Sequence, residues 1–180
     1  MVFPGTRRFR QARALYLSAF PAPQRRPFLS LWLLSVCKPA VSLRAYSDNG
    51  QFCGFTCSVC SEKYLYLNFI AVDPACRSRG YGTQLLELLR RQAPHHPLLV
   101  EVERPEPDAP NYGQRCARVA FYRRNGFYDL DRTITGHGAT FMLMSTDPVF
   151  DRDAYWRIFP HMSMGLRAGL NRLLGRIAKK

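Results

Sequence analysis

The chain has 180 residues, 47% of them apolar and 22% charged. That length builds one well-cored domain and leaves too little for two, and the composition excludes a disordered chain. Lys and Arg number 26 against 13 Asp and Glu, a net charge of +13 carried mostly by arginine. Such a field draws polyanions, whether phosphate-bearing coenzymes, nucleic acid or anionic lipid, and does not choose among them.

Six cysteines, Cys37, Cys53, Cys57, Cys60, Cys76 and Cys116, are irregularly spaced. Cys57-x-x-Cys60 is half of a zinc pattern that no second pair completes, and His95, His96, His137 and His161 have no metal spacing. Free thiols packed as small hydrophobes, and no metal, are expected. With no convincing export signal, the chain is read as cytoplasmic.

In chain order, Arg7 to Phe20 reads as a helix with Ala12, Leu15, Tyr16 and Ala19 on one face. Pro21 and Pro23 break it, and Pro27 opens a second helix over the apolar run Phe28 to Cys37. That run is too short to cross a bilayer, which needs about 20 residues, and is read as a buried helix. Val41 to Ser47 and Gln51 to Ser58 flank the turn signal Asp48-Asn49-Gly50, a hairpin. Tyr64 to Val72 is apolar on both alternating faces, as a strand covered on both sides should be, and Asp73-Pro74 ends it. A helix follows over Arg79 to Gln92, then a strand over Leu98 to Glu103 and a proline-rich loop over Arg104 to Asn111. Gln114 to Asn125 is helical and stops at Gly126; short strands follow at Phe127 to Leu130 and Thr140 to Met144. The order predicts one mixed α/β domain around a partly antiparallel sheet.

The turn Arg77-Ser78-Arg79-Gly80-Tyr81-Gly82-Thr83 lies between a buried strand and a helix. The first turn of a helix leaves backbone N–H groups without partners, and the helix dipole adds positive character there. Gly80 and Gly82 let a phosphate approach the backbone, and Arg77 and Arg79 bring full charges beside it. This is a pyrophosphate cradle. It is neither a Walker loop, since no Gly-Lys-Ser/Thr follows, nor the Gly-x-Gly-x-x-Gly dinucleotide turn.

Downstream, on the next helix but one element, stands Ala117-Arg-Val-Ala-Phe-Tyr-Arg-Arg-Asn-Gly-Phe127. The pairing of this block with Arg77-x-x-Gly80-x-Gly82 resembles the GNAT acetyltransferase superfamily over about residues 7 to 158. Ala19 to Pro27 and Leu99 to Glu103 look like a bacterial subgroup of unsettled substrate. The resemblance implies a single domain with a central, mostly antiparallel sheet, splayed between the family's fourth and fifth strands and flanked by helices. It implies acetyl-coenzyme A as donor and a primary amine as acceptor, a small molecule, a protein amine or an aminoacyl-tRNA. Backbone groups of Ile70, Ala71 and Val72 would bind the pantetheine arm, Arg77 to Thr83 the pyrophosphate, and Tyr122, beside Phe121, would protonate the leaving thiolate. A tyrosine is a competent acid for a thiolate of comparable pKa.

Many relatives carry a glutamate where this chain has Asn68, which accepts no proton. Glu101 and Glu103 share one face of their strand by the two-residue period and are the candidate bases. The alternatives are that arginines such as Arg44 or Arg118 neutralise them, or that a water held by Asn68 serves. Arg115 replaces a common asparagine and reaches a coenzyme phosphate or is solvated. Gln24 to Leu34, Arg104 to Gly113 and Arg132 to Ala139 are the candidate acceptor loops. A GNAT-shaped module that binds acyl-coenzyme A or nucleic acid without turnover is the alternative function. The excess arginine favours an acidic or nucleic-acid-bound acceptor. Residues 159 to 180 are read as a separate basic amphipathic helix, with Leu166, Leu170, Leu173, Leu174 and Ile177 on one stripe. It docks on the domain or on a second copy in a homodimer, or binds an anionic partner.

Overall fold

The computed structural model describes residues 2–136 and 138–163. Two helices open the chain, α1 (Arg7–Ala19) and α2 (Phe28–Cys37), separated by a short 3-10 turn at Ala22–Gln24. Strands β1 (Val41–Asp48), β2 (Gln51–Cys60) and β3 (Leu65–Val72) follow, then α3 (Tyr81–Gln92), β4 (Leu98–Glu103), α4 (Tyr112–Arg124), β5 (Tyr128–Gly136), β6 (Ala139–Ser145) and α5 (Arg152–Trp156). The six strands form one sheet in the order β1-β2-β3-β4-β6-β5. Every neighbouring pair is antiparallel except β3 and β4, which are parallel. This is the mixed, mostly antiparallel architecture expected. The two strands that the resemblance numbers fourth and fifth stand third and fourth in chain order.

Local signals account for the boundaries. Thr6 caps α1 by accepting from the Phe9 amide at 3.2 Å, and Phe9, Ala12, Leu15 and Tyr16 form its buried side. The prolines at 21 and 23 cannot continue that helix, and Pro27 precedes α2, where its fixed φ suits helix entry. Where Arg132 to Ala139 reads as an acceptor loop, the structure instead extends β5 to Gly136. Asp131 takes a left-handed φ of 51°, the β5–β6 register shifts between Asp129 and Thr133, and the β-branched run Thr133-Ile134-Thr135 then resumes pairing. A bulge hides the strand period on which the sequence reading depends.

The sheet has two covered faces. On the front, α1 and α2 pack Phe9, Tyr16, Phe28 and Leu31 against Phe55, Cys57, Phe69 and Ala71, while Tyr155 of α5 and Ile158 just after it pack near Tyr66, Leu99 and Leu143. On the back, Leu86 and Leu89 of α3 and Val119 and Tyr122 of α4 cover Leu65, Leu67, Val100, Val102 and Met144. A bulge in β3 changes which side chains serve which face. Cys57 pairs with Phe69 and Ser58 with Leu67, leaving Asn68 as the extra residue. Tyr64 and Tyr66 before it and Phe69 and Ala71 after it therefore all face front.

Sequence reading ended the domain at residue 158, but the fold continues through Ser163. The turn Phe159–Met162 is held by Arg26, donating to the Met162 carbonyl at 2.6 Å, and by Lys38, donating to Pro160 O at 2.9 Å and Ser163 O at 2.6 Å. Met162 is buried against the front core. The leucine stripe expected from Leu166 to Ile177 lies outside the described residues. No described helix is long and apolar enough to cross a membrane. Ile158 has no exposed surface, so Ile158→Ala should destabilise the domain by about 2–4 kcal/mol in urea unfolding, the usual cost of emptying such a site. A cost under about 0.5 kcal/mol would mean that the segment following α5 is not part of the core.

Candidate active site

The site begins where β3 and β4 stop being neighbours. They pair only at Leu65–Leu98 and Tyr66–Leu99. Beyond those two pairs β3 runs on to Val72 with β2 on one side and no strand among the described residues on the other. Asp73 donates to Cys53 O at 2.8 Å, and in an antiparallel ladder the residues bonded to one neighbour alternate with residues turned away from it. Ala71 thus faces β2, while the N–H and C=O groups of Ile70 and Val72 turn toward the gap. A buried backbone group without a partner is costly. This edge is suited to an extended chain laid along it.

The cradle lies at the end of that edge. Gly80 is the N-cap of α3 with φ 80°, a left-handed conformation that L side chains rarely adopt, and no side chain caps the helix. The first amide bonded back is that of Gln84, to Gly80 O at 3.1 Å. The N–H groups of Tyr81, Gly82 and Thr83 have no partner among the described residues. Arg77, Ser78 and Arg79 are exposed, with no ion pair for either arginine among the described residues.

The two glycines serve different ends. A Cβ on Gly80 would meet nothing within 4 Å, whereas one on Gly82 would lie 3.0 Å from the Phe121 ring. Gly82 is small so that α4 can bring Phe121 against α3, and Gly80 leaves the turn open. Tyr81 is committed elsewhere: its hydroxyl donates to Asp48 Oδ2 at 2.8 Å, a bond that pushes the phenol up to about 12.

Tyr122, on α4, sits in the core behind β3 and β4. It is buried, stacked edge-on between Phe121 and Phe127 with ring centroids 5.2 and 5.1 Å away. Burial pushes its phenol up to about 12, against the opposing charge of Arg118 one turn earlier. Its hydroxyl has no hydrogen-bond partner among the described residues, so its proton is uncommitted.

The two glutamates share the front side of β4, as their spacing requires, yet their surroundings differ. Glu103 is 4% exposed and fully engaged: it accepts from Gln24 at 2.7 Å, Asn111 at 3.4 Å and Arg118 at 3.3 Å, with Arg115 at 3.8 Å. Glu101 is half-buried and accepts from the Tyr155 hydroxyl at 2.8 Å. Arg44, the other arginine considered, is exposed and bonded to Ser42. Arg115 is not solvated. It is buried, donating to Asn111 at 2.8 Å, Arg104 O at 3.0 Å and Glu106 at 3.4 Å, so it ties the proline-rich loop to Glu103. Asn68 occupies the β3 bulge, half-buried, on the far side of the gap from β4. Tyr155 was missed in the sequence because nothing near it in the chain marks it; its partner is 54 residues away.

A family model described as an acetyltransferase (GNAT) domain matches residues 40–129, half of the chain. The chain belongs to the GNAT acetyltransferase family. The solved structures that this GNAT domain resembles include an acetyltransferase assigned to the same family from Bacteroides thetaiotaomicron, 24% identical, with a TM-score of 0.64 over 82% of this chain and 84% of that one. An aminoglycoside 6′-N-acetyltransferase in complex with coenzyme A is 15% identical, with a TM-score of 0.57 over 79% and 93%. The ribosomal-protein-S18-alanine N-acetyltransferase of Escherichia coli is 20% identical, with a TM-score of 0.56 over 79% and 89%. These likenesses establish the fold. No curated protein matches the sequence.

The Glu103 cluster makes a stability prediction for this GNAT domain. Arg115→Ala strips a guanidinium from a buried carboxylate and frees the Arg104 carbonyl, and should cost on the order of 3 kcal/mol in chemical denaturation. Pairing it with Glu103→Gln should recover part of that cost, since the uncompensated charge is then gone. Strictly additive losses would mean that the two groups do not interact.

Proposed function

We propose that this GNAT domain moves the acetyl group of acetyl-coenzyme A to a primary amine by direct attack, with Glu101 as general base and Tyr122 as general acid. The observation that carries the reading is the parted pair β3 and β4, with a half-buried carboxylate on the front of β4 and, in the core behind the two strands, a phenol with no hydrogen-bond partner among the described residues. The residues fit the donor. Ile70 and Val72 offer backbone groups to the pantetheine arm, with Ala71 shaping the edge between them. The amides of Tyr81, Gly82 and Thr83, with Arg77, Ser78, Arg79 and Gly80, hold the pyrophosphate.

The acceptor then approaches from the front. Glu101 takes the proton that the amine nitrogen loses as its lone pair bonds to the acetyl carbon. The carbon–sulfur bond breaks, and Tyr122 gives its proton to the departing thiolate on the back. Glu103 is a poor base by comparison, because four donors already crowd its two oxygens. It anchors Gln24 of the α1–α2 connection to β4 instead, which sets that connection beside the front opening.

The elevated ionisation of Tyr122 has a definite consequence. A phenol held near 12 stays protonated throughout the ordinary working range, so the acid form is always present and is lost only as pH climbs through 12. Turnover should therefore lack an alkaline limb from this group below about pH 11. Tyr122→Phe keeps the ring and removes the proton, and should lower kcat by roughly a hundredfold or more with little change in acetyl-coenzyme A affinity. Unchanged kcat would reduce Tyr122 to packing.

For the cradle, Gly80→Val should force a branched side chain into a left-handed turn and weaken acetyl-coenzyme A binding by at least about tenfold, read by calorimetry. Parental affinity would place the pyrophosphate elsewhere. Release of free coenzyme A across a panel of primary amines distinguishes this enzyme from a GNAT-shaped binding module, which releases none.

A further inference from the structure

Helix α5 brings to the front of β4 a residue that neither sequence motif includes. Its start is fixed from two sides. Asp151 caps it through the Ala154 amide at 2.9 Å, and the Asp151 amide donates to the Tyr64 hydroxyl at 2.8 Å. Tyr155 is then held in an aromatic cluster, with ring centroids 5.1 Å from Phe159, 5.3 Å from Trp156 and 5.9 Å from Phe150. The ring is 2% exposed, and its hydroxyl reaches Glu101 Oε1 at 2.8 Å. Burial and then the charge of Glu101 push the Tyr155 phenol far up, so it remains a donor at any working pH.

A carboxylate that only needed satisfying would be closed in, as Glu103 is two residues along the same strand. Glu101 is half-buried: Tyr155 bonds Oε1 at 2.8 Å, and the phenol of Tyr66 beside it is pushed well up by burial and then by the Glu101 charge. Glu101 stands two residues beyond the last β3–β4 pair, at the point where the strands part. The titratable groups facing it are Tyr66 from β3 and Tyr155 from α5, with Glu103 next on its own face of β4; β6 sets Leu143 opposite.

We propose that Tyr155 is a positioning residue for the acetyl transfer: its hydroxyl fixes Glu101 Oε1, so that Oε2 faces the gap and receives the proton of the attacking amine. This rests on the reading of Glu101 as the base. A hydrogen bond of this kind is stronger to an ionised carboxylate than to the neutral acid. The proton released by the amine ends on Oε2, the N–H electron pair stays on nitrogen, and Tyr155 keeps its own proton throughout.

Tyr155→Phe in the full chain tests this, with Phe159→Leu as a variant that loosens the same cluster and leaves the hydroxyl. Two readouts are needed. The first is the Glu101 carboxyl titration by NMR with 13C-labelled glutamate, assigned by its loss in Glu101→Gln. The second is the acidic limb of kcat/KM, with whichever of a lysine peptide, an alanine-ended peptide and spermidine the parent acetylates. Tyr155→Phe should move the Glu101 titration and the acidic limb of kcat/KM upward together. The acetyl-coenzyme A KM should stay at the parental value, and Phe159→Leu should move neither. A Glu101 titration unmoved in Tyr155→Phe overturns the positioning role and leaves Glu101 as base intact. A titration that moves while the acidic limb stays, or an acidic limb retained in Glu101→Gln, overturns both together. Equal shifts in Phe159→Leu reduce Tyr155 to packing and also overturn the proposal.

Discussion

Two parallel strands that pair over two residues and then separate leave a row of backbone donors and acceptors facing open space, and such groups are costly unless something meets them. In this domain that separation, after Tyr66 and Leu99, is the constraint around which the remaining elements are arranged. The bulge at Asn68 turns the outer half of β3, so that Phe69 and Ala71 keep the front core closed while Ile70 and Val72 look into the gap. On the other side, α4 lies against β4 and α3, with Phe121 seated on Gly82. The parting is therefore supported by packing on both faces, and the open edge is left for a ligand.

The two carboxylates of β4 illustrate how environment divides identical chemistry. Glu103, ringed by Arg115, Arg118, Gln24 and Asn111, is a structural anion that joins three segments distant in sequence. Burial of such a charge is tolerable only because the donors are complete. Glu101 is half-buried, faced by the phenols of Tyr155 and Tyr66 and by no cation among the described residues. A base must have room for the proton it takes, so the residue with fewer partners is the better candidate.

The charge balance of the chain finds a partial explanation in the same geometry. Arg115 and Arg118 neutralise a buried acid, and Arg26 binds a backbone carbonyl of the C-terminal turn. Arg77 and Arg79 remain exposed beside the unpaired amides of α3, where full charges and the helix dipole add in the same direction. A phosphate at that turn would meet both.

Much of this was legible in the residues alone. Proline positions, hydrophobic period and turn signals placed every helix and strand from Arg7 to Glu103 within a few residues, because those signals act over one or two turns of chain. The Arg77 to Thr83 turn and the Tyr122 block carried the family, since each is a contiguous stretch whose chemistry is local. The β5 strand was read too short because a bulge breaks its period, and a bulge depends on what the partner strand does. The separate roles of Glu101 and Glu103, the burial of Arg115 and the arrival of Tyr155 at Glu101 were beyond sequence reasoning for one physical reason. Each depends on side chains from segments far apart in the chain meeting in space. The sequence determined by itself which elements form and which family they build; only the tertiary structure decided which carboxylate is enclosed by cations and which is left without one among the described residues.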